Sequence, residues 1–241
     1  MERKVFSLLG FNIDTFDFES ALVFAKNLIE EKRGGQIVTI NPEMIETGTK
    51  SPFFAKILNE AQLVIPDGIG IEIGLKLKGV DVKRIAGIEF SHKLLEICVQ
   101  NNFSVALVGA KPEILEKTVK NLKEEFQNIK IVYTQDGYFE DTRRVFDELV
   151  KNAPDFVLVA LGSPKQEEFI YEFRKNSPQT LMIGVGGSFD VWSGEVQRAP
   201  EIYQKTGTEW LYRTVKEPKR IKRIFPTLPM FLLRVLLNKS E

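Results

Sequence analysis

Short apolar runs recur along the chain at 36–40 (QIVTI), 62–66 (QLVIP), 103–108 (FSVALV), 129–133 (IKIVY), 155–161 (DFVLVAL) and 180–185 (TLMIGV). Each has the length of a strand and is nearly continuous in apolar residues, the pattern of strands covered on both faces. Between them, apolar positions at helical spacing predict helices near 18–33, 42–60, 69–78, 88–101, 112–127, 140–151 and 164–176. Asp17 stands where the first helix wants an N-cap, and Gly34-Gly35 stops that helix. Asn41-Pro42, Ser51-Pro52, Lys111-Pro112 and Ser163-Pro164 place proline at helix openings, where its missing N–H costs nothing. Asn41, Ser51 and Ser163 also offer side-chain oxygens as caps. Strands alternating with helices predict an α/β fold: a mostly parallel sheet with helices on both faces, a Rossmann-like core. Residues 4–16 are apolar and turn-rich and carry no clear period.

Beyond residue 195 the texture changes. Residues 199–223 are dense in Arg, Lys and aromatics, and 225–237 (FPTLPMFLLRVLL) form an apolar run interrupted by two prolines and Arg234. The run falls short of the roughly 20 residues that span a bilayer. Two readings stand for it: a helix lying in the membrane interface behind a basic stretch, or a C-terminal helix that closes the core. The domain expectation is therefore an α/β core at 1–195 and a helical appendage at 196–241.

Charge sharpens that division. The chain balances 33 Lys and Arg against 33 Asp and Glu over 241 residues. Residues 201–241 hold nine basic side chains against four acidic ones, so a basic tail follows an acidic body. Such asymmetry points to an anionic partner: membrane, nucleic acid or a phosphate-bearing substrate. The single cysteine, Cys98, rules out an internal disulfide, and with His92 the single histidine no His/Cys metal site can form. The N-terminus lacks a signal-peptide pattern, so a reducing, cytoplasmic setting is expected.

The candidate chemistry gathers at strand ends, where open α/β sheets bind ligands. Gly162-Ser163-Pro164-Lys165-Gln166-Glu167 follows one apolar run and opens a helix, an arrangement that favours an anion near Lys165 but serves equally as a capped turn. The run 184–190 (GVGGSFD) brings three glycines to the next strand end, with Gly187 free to approach a ligand and Asp190 able to accept from a base or ribose. Pro66-Asp67-Gly68 is first of all a turn. Yet Asp67 follows a buried strand, on the same edge as Thr39, Asn41 and Gln166, and a carboxylate there is a natural general base. Arg84 precedes the helix near 88 and could clamp substrate. Arg213, Arg220 and Arg223, spaced by seven and three, would neutralise a diphosphate if they met near the pocket, although Pro218 argues against one unbroken helix. His92 and Cys98 read as helix surface and core. No Asp-x-Asp string occurs, so a metal-binding pair of that kind is missing.

Taken together, ALGSPKQE (160–167), GVGGSFDVWSGEVQRAP (184–200) and EWLYRTVKEPKR (209–220) resemble the WecG/TagA/CpsF glycosyltransferases, with TINPEM (39–44), IPDGIG (65–70) and RIAGIEF (84–90) in the same order. The resemblance covers nearly the whole chain. It implies a TagA-type fold whose C-terminal appendage completes the site at the inner face of the cell membrane. It also implies metal-independent, inverting transfer of N-acetylmannosamine, or a related sugar, from a UDP-sugar donor. The acceptor it implies is N-acetylglucosamine on undecaprenyl diphosphate, as in teichoic acid linkage units or related surface polysaccharides. By resemblance Asp67 is the base, Thr39, Asn41, Arg84 and Gln166 hold the sugar, and Arg213, Arg220 and Arg223 lie near the diphosphates. No cofactor and no nucleic acid are expected, and homo-oligomerisation is left open. The helix at 69–78 and the loop at 79–83 look idiosyncratic, which bears on acceptor choice. Two other readings compete: a nucleotide-dependent oxidoreductase, prompted by the glycines of residues 68–74 (GIGIEIG), and a non-catalytic membrane or nucleic-acid binding module built on the basic tail.

Overall fold

The computed structural model describes residues 3–205, 208, 209, 211, 212 and 221–238, with side chains described outside 204–205 and 221–226. A hairpin of β1 (Val5–Leu8) and β2 (Phe11–Asp14) opens the chain. There follow α1 (Phe18–Glu30), β3 (Gly35–Ile40), α2 (Pro42–Lys50), α3 (Pro52–Asn59), β4 (Leu63–Pro66), α4 (Ile69–Leu77) and α5 (Gly87–Gln100). Next come β5 (Ser104–Gly109), α6 (Pro112–Glu125), β6 (Lys130–Gln135), α7 (Thr142–Asn152), β7 (Phe156–Ala160) and α8 (Lys165–Phe173). The chain then forms β8 (Leu181–Gly184), α9 (Ser188–Trp192), α10 (Glu201–Lys205) and α11 (Ile221–Leu237).

The sheet is parallel throughout, in the order β4-β3-β8-β7-β5-β6. Alternate residues of each strand feed different cores. Ile37, Ile65, Leu107, Leu158 and Ile183 pack one face with α1, α5 and α6. Val38 and Val64 enter a second core beneath α2, α3 and α4, and Val108, Val157 and Met182 a third beneath α7 and α8. Burial on both faces is why the runs read as continuous rather than alternating. β6 is the exception. It is an edge strand, its residues are partly exposed, and the run 129–133 is less buried than its apolar pattern predicts.

Three predicted caps form: Asp17 accepts from Ser20 N–H at 2.7 Å, Asn41 from Met44 N–H at 3.0 Å and Ser51 from Phe54 N–H at 3.3 Å. Ser51 thereby splits the expected 42–60 helix into α2 and α3, since Pro52 can start a helix but not continue one. Ser163 does not cap α8; its side chain bonds the Glu167 carboxyl instead. The other free edge of the sheet is sealed by the hairpin. Asp14, fully buried, accepts from Arg3 at 2.6 Å and from the backbone N–H of Val64 at 2.7 Å, tying β2 to β4.

The core-closing reading of the 225–237 run finds its counterpart in α11. Phe231 and Val235 are buried in the second core beside Leu8, Ile71 and Leu75. Arg234 reaches Glu46 at 3.4 Å and Thr49 at 3.2 Å, and Lys78 donates to the Asn238 carbonyl. The opposite face leaves Met230, Leu233, Leu236 and Leu237 about half to two-thirds exposed. Two of the three glycines that prompted the oxidoreductase reading, Gly70 and Gly74, serve this packing. A Cβ on Gly70 would lie 2.6 Å from Leu228, and one on Gly74 would lie 3.1 Å from Phe231. Among the described residues, no helix is long and apolar enough to cross a membrane.

Candidate active site

Outside the carboxyl ends of β3, β4 and β8 lies a cleft of about 270 Å³. The strand order places it at a switch point. From β3 the chain moves outward to β4, while β8 arrives on the other side of β3 from the far half of the sheet. Crevices at such points are where open α/β sheets take ligands.

Asp67 lies at the base of the cleft, one residue beyond β4, with its N–H bonded to the Ile40 carbonyl at 2.8 Å. In the strand alternation it shares a face with Ile65, so its side chain points beneath the first turn of α5. Ala86 supplies no side-chain cap there, and the Asp67 carboxylate accepts from the backbone N–H groups of Gly87 and Gly68. The close approach depends on Gly87: a Cβ at that position would stand 2.9 Å from Thr39 Cγ2 and 3.4 Å from Asp67 Oδ2.

Burial dominates the electrostatics of Asp67, pushing its pKa up from the ordinary 3.8 to about 6. The Arg84 guanidinium and the two backbone N–H groups oppose that rise, and the Glu209 carboxylate adds to it. A carboxyl with a pKa near 6 is ionised at neutral pH yet basic enough to take a proton, as a general base requires. Arg84 is held in place through its backbone. Glu72 Oε2 accepts its N–H at 2.9 Å and Glu72 Oε1 accepts from Lys83 Nζ at 3.4 Å, tying the 79–86 loop to α4.

The cleft brings together Asp67, Thr39, Asn41, Arg84 and Gly187. Gln166, Lys165, Gly162 and Asp190 do not line it. Gln166 is 5% exposed and does not line the cleft. Its Oε1 accepts from Gly186 N–H at 3.0 Å and its Nε2 donates to Glu167 at 2.7 Å, so it supports the glycine loop from below. Lys165 borders a separate hollow between α7 and α8, together with Arg143 and Phe146. Gly162, at φ 74°, makes the turn into α8. Asp190 lies on α9, where its carbonyl accepts from Ser193 and Val196. Arg213 and Arg220 fall outside the described residues, as does the side chain of Arg223.

Reading the sequence alone missed Glu43 and Glu209, both of which line the cleft. Glu43 was legible in principle, being two residues past Asn41 in the first turn of α2. Glu209 was not. It reaches the cleft only because the chain returns after α9, where Arg198 bonds Glu89 of α5 at 2.7 Å and lies 3.9 Å from Glu209. His92 and Cys98 are as expected: His92 pairs with Glu125 at 3.0 Å on the surface and Cys98 is buried.

Comparison with known proteins identifies the family. A family model described as "Glycosyl transferase WecG/TagA/CpsF family" matches residues 6–241. An N-acetylglucosaminyldiphosphoundecaprenol N-acetyl-beta-D-mannosaminyltransferase from Bacillus subtilis (strain 168) is 37% identical over 217 residues, covering 90% of this chain and 84% of that one. A protein of the same name from Bacillus spizizenii is 37% identical over 209 residues, covering 86% of this chain and 81% of its own length. The chain belongs to the WecG/TagA/CpsF family and is a glycosyltransferase.

Proposed function

We propose that the protein transfers N-acetylmannosamine, or a close relative, from a UDP-sugar to the N-acetylglucosamine of an undecaprenyl-diphosphate acceptor, with inversion and without a metal ion. The observation that carries the reading is Asp67: a carboxylate at the base of the cleft, pushed up to about 6 by burial and facing Arg84. The 37% identity to two enzymes named for that transfer supports the choice of sugars and carrier.

In this reading Asp67 removes the proton from the acceptor hydroxyl as its oxygen attacks the anomeric carbon. The bond from that carbon to UDP breaks on the opposite side, and one displacement inverts the centre. Thr39, Asn41 and Arg84 hold the donor sugar. Gln166 acts through the 184–187 loop, whose Gly186 N–H it fixes. Gly187 and Asp190 belong to the nucleotide side, whereas Lys165, in its separate hollow, and Gly162, in the turn before it, take no direct part. Arg213, Arg220 and Arg223 meet the negative charge that grows on the departing UDP, and cations aimed there stabilise the transition state more than the ground state.

The appendage at 196–241 brings the enzyme to its lipid acceptor at the inner face of the membrane. Its support is the exposed row Met230, Leu233, Leu236 and Leu237 on a helix whose other side is docked in the core. The test is a panel of UDP-sugars with a short-chain lipid-diphosphate N-acetylglucosamine, read by mass spectrometry with and without EDTA. One UDP-sugar should give the disaccharide product, with EDTA making no difference. A product from none of them, or strict dependence on added Mg²⁺, would overturn the reading.

A further inference from the structure

Beside the reaction cleft lies a second hollow of about 140 Å³ that is almost wholly apolar. It shares Asn41, Glu43, Gly68 and Ile69 with the cleft and is closed by Pro42, Gly70, Thr227 and Leu228, the polar residues contributing little of its exposed surface. Its size is close to the roughly 150 Å³ of apolar cavities that accept a benzene ring, so a five-carbon branched unit fits. Gly70 keeps it open and narrow at once, since a Cβ there would lie 2.6 Å from both Leu228 Cδ1 and Pro42 Cγ.

The hollow continues along one ridge. Ile69, in its wall, is followed at four-residue intervals on α4 by Ile73 and Leu77, which are 38% and 49% exposed. Residues four apart stack on one helical face, so the three make an apolar track about 12 Å long at 1.5 Å per residue. α11 lies against the same helix and leaves Met230 and Leu233 exposed. A polar cleft with a charged base therefore opens sideways into an apolar slot and an apolar ridge. A ligand with a sugar at one end and a hydrocarbon chain at the other has that polarity.

We propose that this slot binds the first isoprene unit of the acceptor's lipid and that the next units follow the Ile69–Ile73–Leu77 ridge. The assignment rests on the acceptor reading given above and adds to it a place for the lipid. Burying an isoprene unit is then part of acceptor recognition, separate from attachment of the protein to a bilayer.

The test compares two soluble acceptors with the same N-acetylglucosaminyl diphosphate head, one carrying a methyl group and one a geranyl chain, with no bilayer present. The intact enzyme is expected to show a KM at least about tenfold lower for the geranyl compound, tenfold being the effect of burying only about two of its carbons. Leu228→Asn, which makes the slot polar, and Ile73→Asp, on the exposed ridge, should each raise the geranyl KM toward the methyl value. Neither should change kcat or KM for the methyl acceptor. Ile73→Asp guards against a folding artefact, because its side chain is 38% exposed and is not among the buried core residues. A geranyl preference that survives in both variants, or equal KM values in the intact enzyme, would overturn the assignment. Transfer to neither acceptor would overturn the acceptor reading and this inference with it.

Discussion

Asparagine in place of Asp67 keeps the shape of the side chain and removes a charge that the fold holds at a disadvantage. Burial lifts the pKa from 3.8 to about 6. At about 1.36 kcal/mol per unit, the ionised carboxylate costs the folded state about 3 kcal/mol relative to the unfolded chain. The folded pKa is the higher one, so this group's favourable contribution is complete below about pH 3.8 and lost as the pH rises through about 6. Linkage puts about 1 kcal/mol of the cost at pH 4.5 and all of it at pH 8, a difference of about 2 kcal/mol. Asparagine does not titrate. Its amide also turns an N–H toward a site that the carboxylate filled as an acceptor of the Gly87 and Gly68 N–H groups, a loss of about 1 kcal/mol that is independent of pH.

The expected signature is a stability gain of Asp67→Asn over the parent that is about 2 kcal/mol larger at pH 8 than at pH 4.5. For a chain of this size that is about 4–8 °C in relative melting temperature. Urea unfolding at the two pH values measures it directly, with equal m-values confirming that the unfolded states match. Other titrating groups cancel between the two proteins. A difference between parent and variant that stays constant from pH 4.5 to pH 8 would refute the raised pKa and with it the case for Asp67 as a base.

Four further substitutions follow from the geometry. Arg84→Gln should move the acid limb of kcat/KM above pH 6 and Glu209→Gln should move it below, because the first removes a charge that favours the Asp67 carboxylate and the second one that opposes it. Shifts in the same direction in a pH–rate profile would contradict both roles. Gly87→Ala forces a methyl to 2.9 Å from Thr39 Cγ2 and should lower kcat/KM about tenfold or more by displacing the first turn of α5, with little change in melting temperature. Unaltered kinetics would mean that the close approach is dispensable. Burial pushes Glu167 up from 4.5 to about 7, so its stability contribution is present below about pH 4.5 and lost as the pH rises through 7. Glu167→Gln should therefore stabilise the protein at pH 8 by up to about 3 kcal/mol and leave it nearly unchanged at pH 4.5, as thermal melts at the two values would show.

Much of this was legible before the structure because local rules and burial agree. The run 155–161 has apolar residues at nearly every position because β7 is covered on both faces, and Asn41 and Asp17 sit where orphan N–H groups need acceptors. Asp67 could be found because a turn after a buried strand must lie at the ligand-binding edge. The hairpin at 5–14 escaped because its strands are four residues long and its purpose is tertiary: Asp14 finds Arg3 and Val64 only once β2 lies beside β4. Gln166 looked like a cleft residue from its place in the motif, but its amide is spent on Gly186 and Glu167. Glu209 depends on the return of the chain past Arg198, which no spacing encodes. α11 was read as either membrane-facing or core-closing; Phe231 and Val235 dock it in the core, while Leu233 on its other side stays exposed.

The account stands on proton removal by Asp67 in a cleft that binds the nucleotide sugar independently of it. The direct measurement is turnover of Asp67→Asn on the lipid-diphosphate acceptor, paired with calorimetric binding of UDP. Loss of a general base should cut kcat by about 10²–10⁴ while UDP affinity stays within a few-fold of the parent. A variant that turns over at the parent rate, or one that loses activity only because it no longer binds UDP, would contradict the account.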